Sequence, residues 1–215
     1  MPRQLPHLDV SFQHDVDAAL ILISRIEAVN AFAQGRQIAR LSTANIELSY
    51  ELSYLRIFLS WEVLLEESLL RLLCGYRHSG GQEPLRQNQT YFRTIADAEA
   101  AILGNQLYKL WHNPGQVINR ARAYLNNSRY EIIVASAQAR LQHFAAIRHR
   151  IAHAQDHAAR EFDQATMSLA GRRYPGSRPG NSFEIAYPTR NHLSVGWILS
   201  QRISLHSHDK FAHEV

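Results

Sequence analysis

The chain carries a single cysteine, Cys74, which excludes an intramolecular disulfide and any cysteine-built zinc site and fits a reducing compartment. Lysine is nearly missing as well: Lys109 and Lys210 are the only two among 23 basic residues, and the rest are arginine. Arginine is the planar, bidentate phosphate binder. A formal charge of +4 is compatible with nucleic acid without establishing it. Long apolar runs are absent too. The opening MPRQLPHLDVSFQHD has no apolar core of signal-peptide length, and later apolar stretches meet Glu or Arg before they reach a membrane span. The expectation is a cytoplasmic protein with no membrane partner. Neither a strand-like alternation nor an internal repeat is visible.

What is present is a helical pattern on a globular composition, 46% hydrophobic and 20% charged, with length enough to bury a substantial core. Val16, Ala19, Leu20, Ile23, Ile26 and Ala31 predict a first amphipathic helix within Phe12 to Phe32. A polar connection around Gly35 follows, with Ser42, Thr43 and Asn45 as candidate N-caps. The second helix runs without Gly or Pro to a stop at Cys74-Gly75. Its apolar face reads as Leu48, Leu52, Leu55, Leu59, Leu65, Leu69 and Leu72, with Phe58 and Trp61 in the core. RHSGGQEPLRQNQ is a polar loop, and YFRTIADAEAAILGNQLYKLW predicts one or two shorter helices broken at Gly104-Asn105. Asn113-Pro114 supplies a cap and a first-turn proline.

After a cap at Asn126, Asn127 or Ser128, RYEIIVASAQARLQHFAAIRHRIAHA reads as one long helix, with Ile133, Ala137, Leu141, Phe144, Ile147 and Ile151 at three- and four-residue steps. FDQATMSLAG is a further helical segment ending at Gly171, and RRYPGSRPGNS is a basic loop. The segment from Asn191 onward predicts a last helix and a histidine-containing tail, whose His206, His208 and His213 read as a solvated end.

Within the long helix, IRHRIAH sets Arg148, His149, Arg150 and His153 close together. Arg148 and His153 lie about 140° apart around a helix axis, so they share no narrow stripe. Long side chains still converge where a second helix packs alongside. A guanidinium offers a fork of donors to a phosphate, and an imidazole exchanges a proton near neutral pH. The ribose 2′-hydroxyl is an internal nucleophile, so cleaving RNA requires only control of two protons and of charge on the phosphoryl oxygens. Spacing alone leaves a plain polar helix face as the alternative. Glu62, Glu66 and Glu67 stand on the second helix, and Glu62 is the candidate to fix Arg148 or position an imidazole. His149, His153 and His157 also follow a zinc- or nickel-binding spacing. That set needs the helix to continue past Asp156, and no HExxH glutamate is present, so no metal site is expected.

RHRIAH resembles the signature of the HEPN superfamily (higher eukaryotes and prokaryotes nucleotide-binding), an Arg followed by four residues and a His, with a polar neighbour to the Arg and an Ala-His ending. LSWEVLLEESLLRLL is similar to the aromatic-and-glutamate helix of HEPN ribonucleases, and the match spans roughly Ile46 to Gly171. In size the chain resembles the stand-alone bacterial members of the RiboL-PSP and MAE types. The resemblance implies an all-α protein, an antiparallel helical bundle of HEPN type with additional short helices. It forms one domain over 1–215, with a core of about 12–171 and the basic loop and a helical extension over 172–215.

The resemblance further implies a metal-independent endoribonuclease without a cofactor, leaving a 2′,3′-cyclic phosphate and a 5′-hydroxyl. His153 would be the acid/base, Arg148 the phosphate-binding group and His149 a helper, with Glu62 beside them. Apart from the resemblance, Arg150 and the basic loop's Arg172, Arg173 and Arg178 are candidates to contact RNA by their charge, with a plain solvated loop as the alternative. The implied partners are RNA, a second copy whose motif helix completes a composite cleft, and a cognate antitoxin, in bacterial defence or a toxin–antitoxin system. His149 stands where the family commonly has Asn or Asp. Gln155 stands where some members carry a modified tyrosine, so that regulation is not expected. The alternative is a non-catalytic HEPN-like module that binds RNA, nucleotide or protein.

Overall fold

The computed structural model describes residues 3–36, 41–104, 110–174, 176 and 178–180. In chain order these form α1 (Leu8–Arg36), α2 (Thr43–Leu73), β1 (Arg77–His78), β2 (Gly81–Gln82), α3 (Ile95–Leu103), α4 (Pro114–Tyr124), α5 (Arg129–Ser136), α6 (Gln138–Ala152) and α7 (Asp156–Ala170). The all-α class expected from the sequence is observed, with one two-residue hairpin as the only sheet among the described residues. No helix among them is long and apolar enough to cross a membrane. The last helix and tail histidines read from the sequence lie outside the described residues.

α2 is the axis of the core. It starts where the Ser42 hydroxyl accepts the Asn45 N–H, and it ends at Cys74, followed by Gly75 at φ +77°, a conformation that glycine adopts without a Cβ penalty. Its buried face is Tyr50, Tyr54, Ile57, Phe58, Trp61, Leu64, Leu65, Leu69 and Leu72. This corrects the face read from leucines: Leu48, Leu52 and Leu59 are more than half exposed, and aromatic residues fill the interior of the first half instead. Each aromatic ring removes more apolar surface from water than a leucine does, so the helix turns its rings inward. α1 packs antiparallel on α2. Asp15 accepts hydrogen bonds from Ser60 and Arg56, Tyr50 donates to Glu27, and Phe12 meets Trp61 edge-on at 6.1 Å.

The long helix predicted up to the motif is interrupted. Ala137 sits at φ −101°, ψ 0°, closing α5 and opening α6. Tyr130 and Val134 on α5 and Leu141, Phe144 and Ile147 on α6 are all buried; a kink lets both stripes reach the core where one straight helix does not. α5 begins at Ser128, whose hydroxyl accepts the Glu131 N–H. Its first two N–H groups, of Arg129 and Tyr130, donate to the Glu83 carboxylate at 3.0 and 3.4 Å.

Glu83 is almost wholly buried, and it also faces His78 Nε2 at 3.1 Å. His78 Nδ1 accepts the Gly80 N–H, which leaves Nε2 as the ring donor toward the carboxylate. The polar loop after α2 is therefore pinned to the N-terminus of α5 by one carboxylate, favourably placed for the helix dipole. Beyond α7, Tyr174 is buried, and the Gly180 N–H donates to Glu51 at 3.0 Å. A Cβ at Gly180 would sit 2.8 Å from Glu47 Cα, so only glycine fits against α2 there.

Replacing Glu83 by Ala removes an acceptor for two helix N–H groups and leaves His78 without its partner, a loss of roughly 2–4 kcal/mol. The expected melting midpoint of Glu83→Ala, followed by circular dichroism, is roughly 10 °C lower, with Glu83→Gln intermediate. An unchanged midpoint would show that the buried pair carries no stability.

Candidate functional site

α6 is fixed to α2 one turn before the motif, where the Tyr54 hydroxyl donates to the Phe144 carbonyl at 2.8 Å. Ile147 is buried, and the next residue, Arg148, extends toward α2. Its Nε is buried without a hydrogen-bond partner, as is Oε1 of Glu62. His112, from the turn before α4, places Nδ1 at 3.6 Å from that oxygen, in ion-pair range but beyond a hydrogen bond. Burial pushes the Glu62 carboxyl above the usual carboxylate range, Arg148 pulls it back, and Glu66 adds to the rise. Burial likewise depresses His112, helped by the positive charge of Arg148 and by His149. Glu62, His112 and Arg148 thus form one half-buried polar cluster between α2, the α4 approach and α6.

His149, the next residue, lines the same groove as His112. α6 then ends: His153 is extended (φ −137°, ψ 128°), with its N–H donating to the His149 carbonyl at 2.9 Å. The chain reverses over His153 to Gln155, and α7 starts at Asp156. The motif histidine is therefore at the helix end, where the angular spacing of a continuous helix no longer applies. Its ring lies 4.6 Å from that of His149 at 49°. His153 is exposed. Burial lowers the His149 imidazole, with His153, His157 and Arg148 acting the same way and Glu161 opposing. His149 is in this sense the link between the Arg148 cluster and the exposed His153.

The reversal also carries His157 and Glu161, one turn apart on α7, back toward His149. Together with His112 and His143 they line a groove of about 540 Å³ between the start of α4, α6 and α7. The continuous helix that a His149, His153, His157 set requires is not formed. His157 instead approaches His149 across the reversal, with Glu161 joining from the next turn.

The remaining arginines are dispersed. Arg150 faces the half-buried Glu51 and approaches the His153 carbonyl at 3.5 Å. Arg172 and Arg173 follow the far end of α7, whose 15 residues rise roughly 22 Å, so a helix length separates them from His153. Arg172 donates to the Tyr174 hydroxyl at 3.3 Å and lies over that ring. Arg178 is exposed beside Gly176. Glu67 pairs with Arg71 one turn on, and Glu66 lies toward Arg120 and Tyr130. Sequence reasoning missed His112 and Glu161. The first stands beside the Asn113-Pro114 cap, and the second is four residues after His157, a spacing that becomes informative once α7 starts at Asp156.

Glu62 titrates above its unfolded value in the folded chain, facing His112 and Arg148 from neighbouring elements and Glu66 from its own. Its contribution to stability is therefore fully present below the unfolded pKa and lost as pH rises through the folded one. Glu62→Gln should raise the melting midpoint at about pH 7, and this gain should vanish at about pH 4, where the unfolded carboxyl is itself largely protonated. A gain of equal size at both values would show that the ionised carboxylate carries no penalty.

No family model, no curated protein and no solved structure matches this chain.

Proposed function

We propose that the chain is an endoribonuclease of HEPN type that needs no metal for catalysis. The observation that carries this reading is the buried, unpartnered Nε of Arg148 beside Glu62, next in the chain to His149, whose ring lies against that of His153. A buried donor without an acceptor is costly in a structure, and a phosphate oxygen is the ligand a guanidinium fork is shaped for.

In this mechanism a phosphodiester lies across the end of α6. The ribose 2′-hydroxyl loses its proton to an imidazole and attacks phosphorus. Arg148 takes up the charge that grows on the non-bridging oxygens. The bond to the 5′-oxygen breaks, and that oxygen receives a proton, leaving a 2′,3′-cyclic phosphate and a 5′-hydroxyl. His153 is the proton-transfer group, His149 orients it through the ring contact, and Glu62 holds Arg148. His153 is exposed in the single chain, so a second copy is assigned to close the cleft, with the α6 ends facing one another. Arg150 and the exposed Arg172, Arg173 and Arg178 provide charge along an RNA path. A role in bacterial defence, with a cognate antitoxin, is the setting that the RHRIAH resemblance suggests.

The same exposure of His153 favours a second reading, a non-catalytic HEPN-like module that binds RNA, nucleotide or protein at this groove. Cleavage separates the two. Single-stranded RNA incubated with the purified chain should yield cyclic-phosphate ends in the presence of EDTA. His153→Ala and Arg148→Ala should each lose about a hundredfold or more in rate while keeping the wild-type circular dichroism spectrum. Cleavage abolished by EDTA and retained by both variants would overturn the mechanism. Binding without cleavage by wild type would favour the module.

A further inference from the structure

The helix reversal at His153 to Gln155 has a second chemical product besides the Arg–His pair. His149 on α6 and His157 and Glu161 on α7 each present one ligand atom, and these atoms lie within 4.8 Å of one another. His157 and Glu161 are one turn apart on a single helical face, with Nδ1 and Oε2 3.5 Å apart. A His and a carboxylate at that spacing form a chelating pair, and a third ligand from a neighbouring element completes a tripod. The three open onto the groove that His112 and His143 also line, so an ion can enter from solvent and a water can take the remaining position.

Zinc bonds of about 2.0–2.1 Å imply ligand atoms roughly 3.3 Å apart in a tetrahedral shell. The existing separations need only small rotations to reach that value. His157 is exposed and Glu161 is half-buried at the surface, and both have room to make them. Two imidazoles and one carboxylate are a borderline donor set, suited to zinc before magnesium or calcium, which prefer oxygen.

We infer that His149, His157 and Glu161 form a binding site for a divalent transition-metal ion, zinc foremost, which bridges α6 and α7 across the reversal. The site stands apart from the ribonuclease reading, because it takes only His149 from that set and is measured by binding itself. Occupied, it ties the two arms of the reversal together and adds to the stability of the folded chain by mass action.

The test is calorimetric titration of zinc chloride into the full chain after chelator stripping, with melting curves in parallel. Wild type should bind one zinc per chain with micromolar or tighter affinity, and its melting midpoint should rise with zinc. His157→Ala and Glu161→Gln should each bind about tenfold or more weakly, and His157→Ala should lose the zinc-dependent rise. Both changes are at the surface, and unliganded melting curves check that the variants fold. His14→Ala, an exposed histidine on α1, should bind as wild type does. The proposal is overturned if wild type shows no saturable binding up to about 100 μM zinc. It is equally overturned if both variants bind like wild type, which would assign the ion to histidines elsewhere, such as His206, His208 and His213.

Discussion

The chain must turn back on itself between Ala152 and Asp156, and the rest of the candidate site depends on this constraint. No glycine or proline marks the place. α6 ends because α7 has an apolar stripe of its own, Ala158, Phe162 and Ala165, all fully buried, and a straight continuation would leave that stripe in water. The gain from burying it exceeds the cost of giving up a few helical hydrogen bonds at a site with no local breaker. The small alanines allow close approach, and Phe162 fills the interior. As a result His149, His153, His157 and Glu161, which a continuous helix would distribute along its length, gather around one corner.

Two carboxylates, Glu83 buried and Glu62 half-buried, show how the same chain handles charge in opposite ways. Glu83 is surrounded by donors: two helix N–H groups and the His78 ring. It is a fastening. Glu62, by contrast, has a buried oxygen without a hydrogen bond, beside an arginine whose Nε is equally unpartnered. A fully satisfied network fixes a core, whereas a partly satisfied one leaves buried polar groups at a cost; the proposed mechanism gives Arg148 a phosphate to meet. The helix–helix tie from Tyr54 to Phe144 fixes α6 against α2 one turn from Arg148.

Much of the helix punctuation was legible because it is local chemistry. Ser42, Asn113 before Pro114, Ser128, and the Cys74-Gly75 stop each act through their own side chain or φ angle. Phe58 and Trp61 read correctly as core because large rings rarely stay in water. What the sequence concealed is tertiary. Leucines at Leu48, Leu52 and Leu59 follow a helical period as well as the buried aromatics do, and only the neighbours α1 and α6 decide between the two faces. The break at Ala137 and the reversal at His153 carry no breaker residue, so periodicity passes through both without a mark. His112 reaches the site from a distant turn, and no spacing along one helix could have pointed to it.

Gly180 has a further consequence. The chain between the buried Tyr174 and Gly180 is anchored at both ends, the second by contact so close that no side chain fits against Glu47. Arg178 is therefore carried two residues from a fixed point on α2, and a ligand meeting it has less ordering to impose than it would on a free tail. The glycine is the point at which the chain beyond α7 returns to α2.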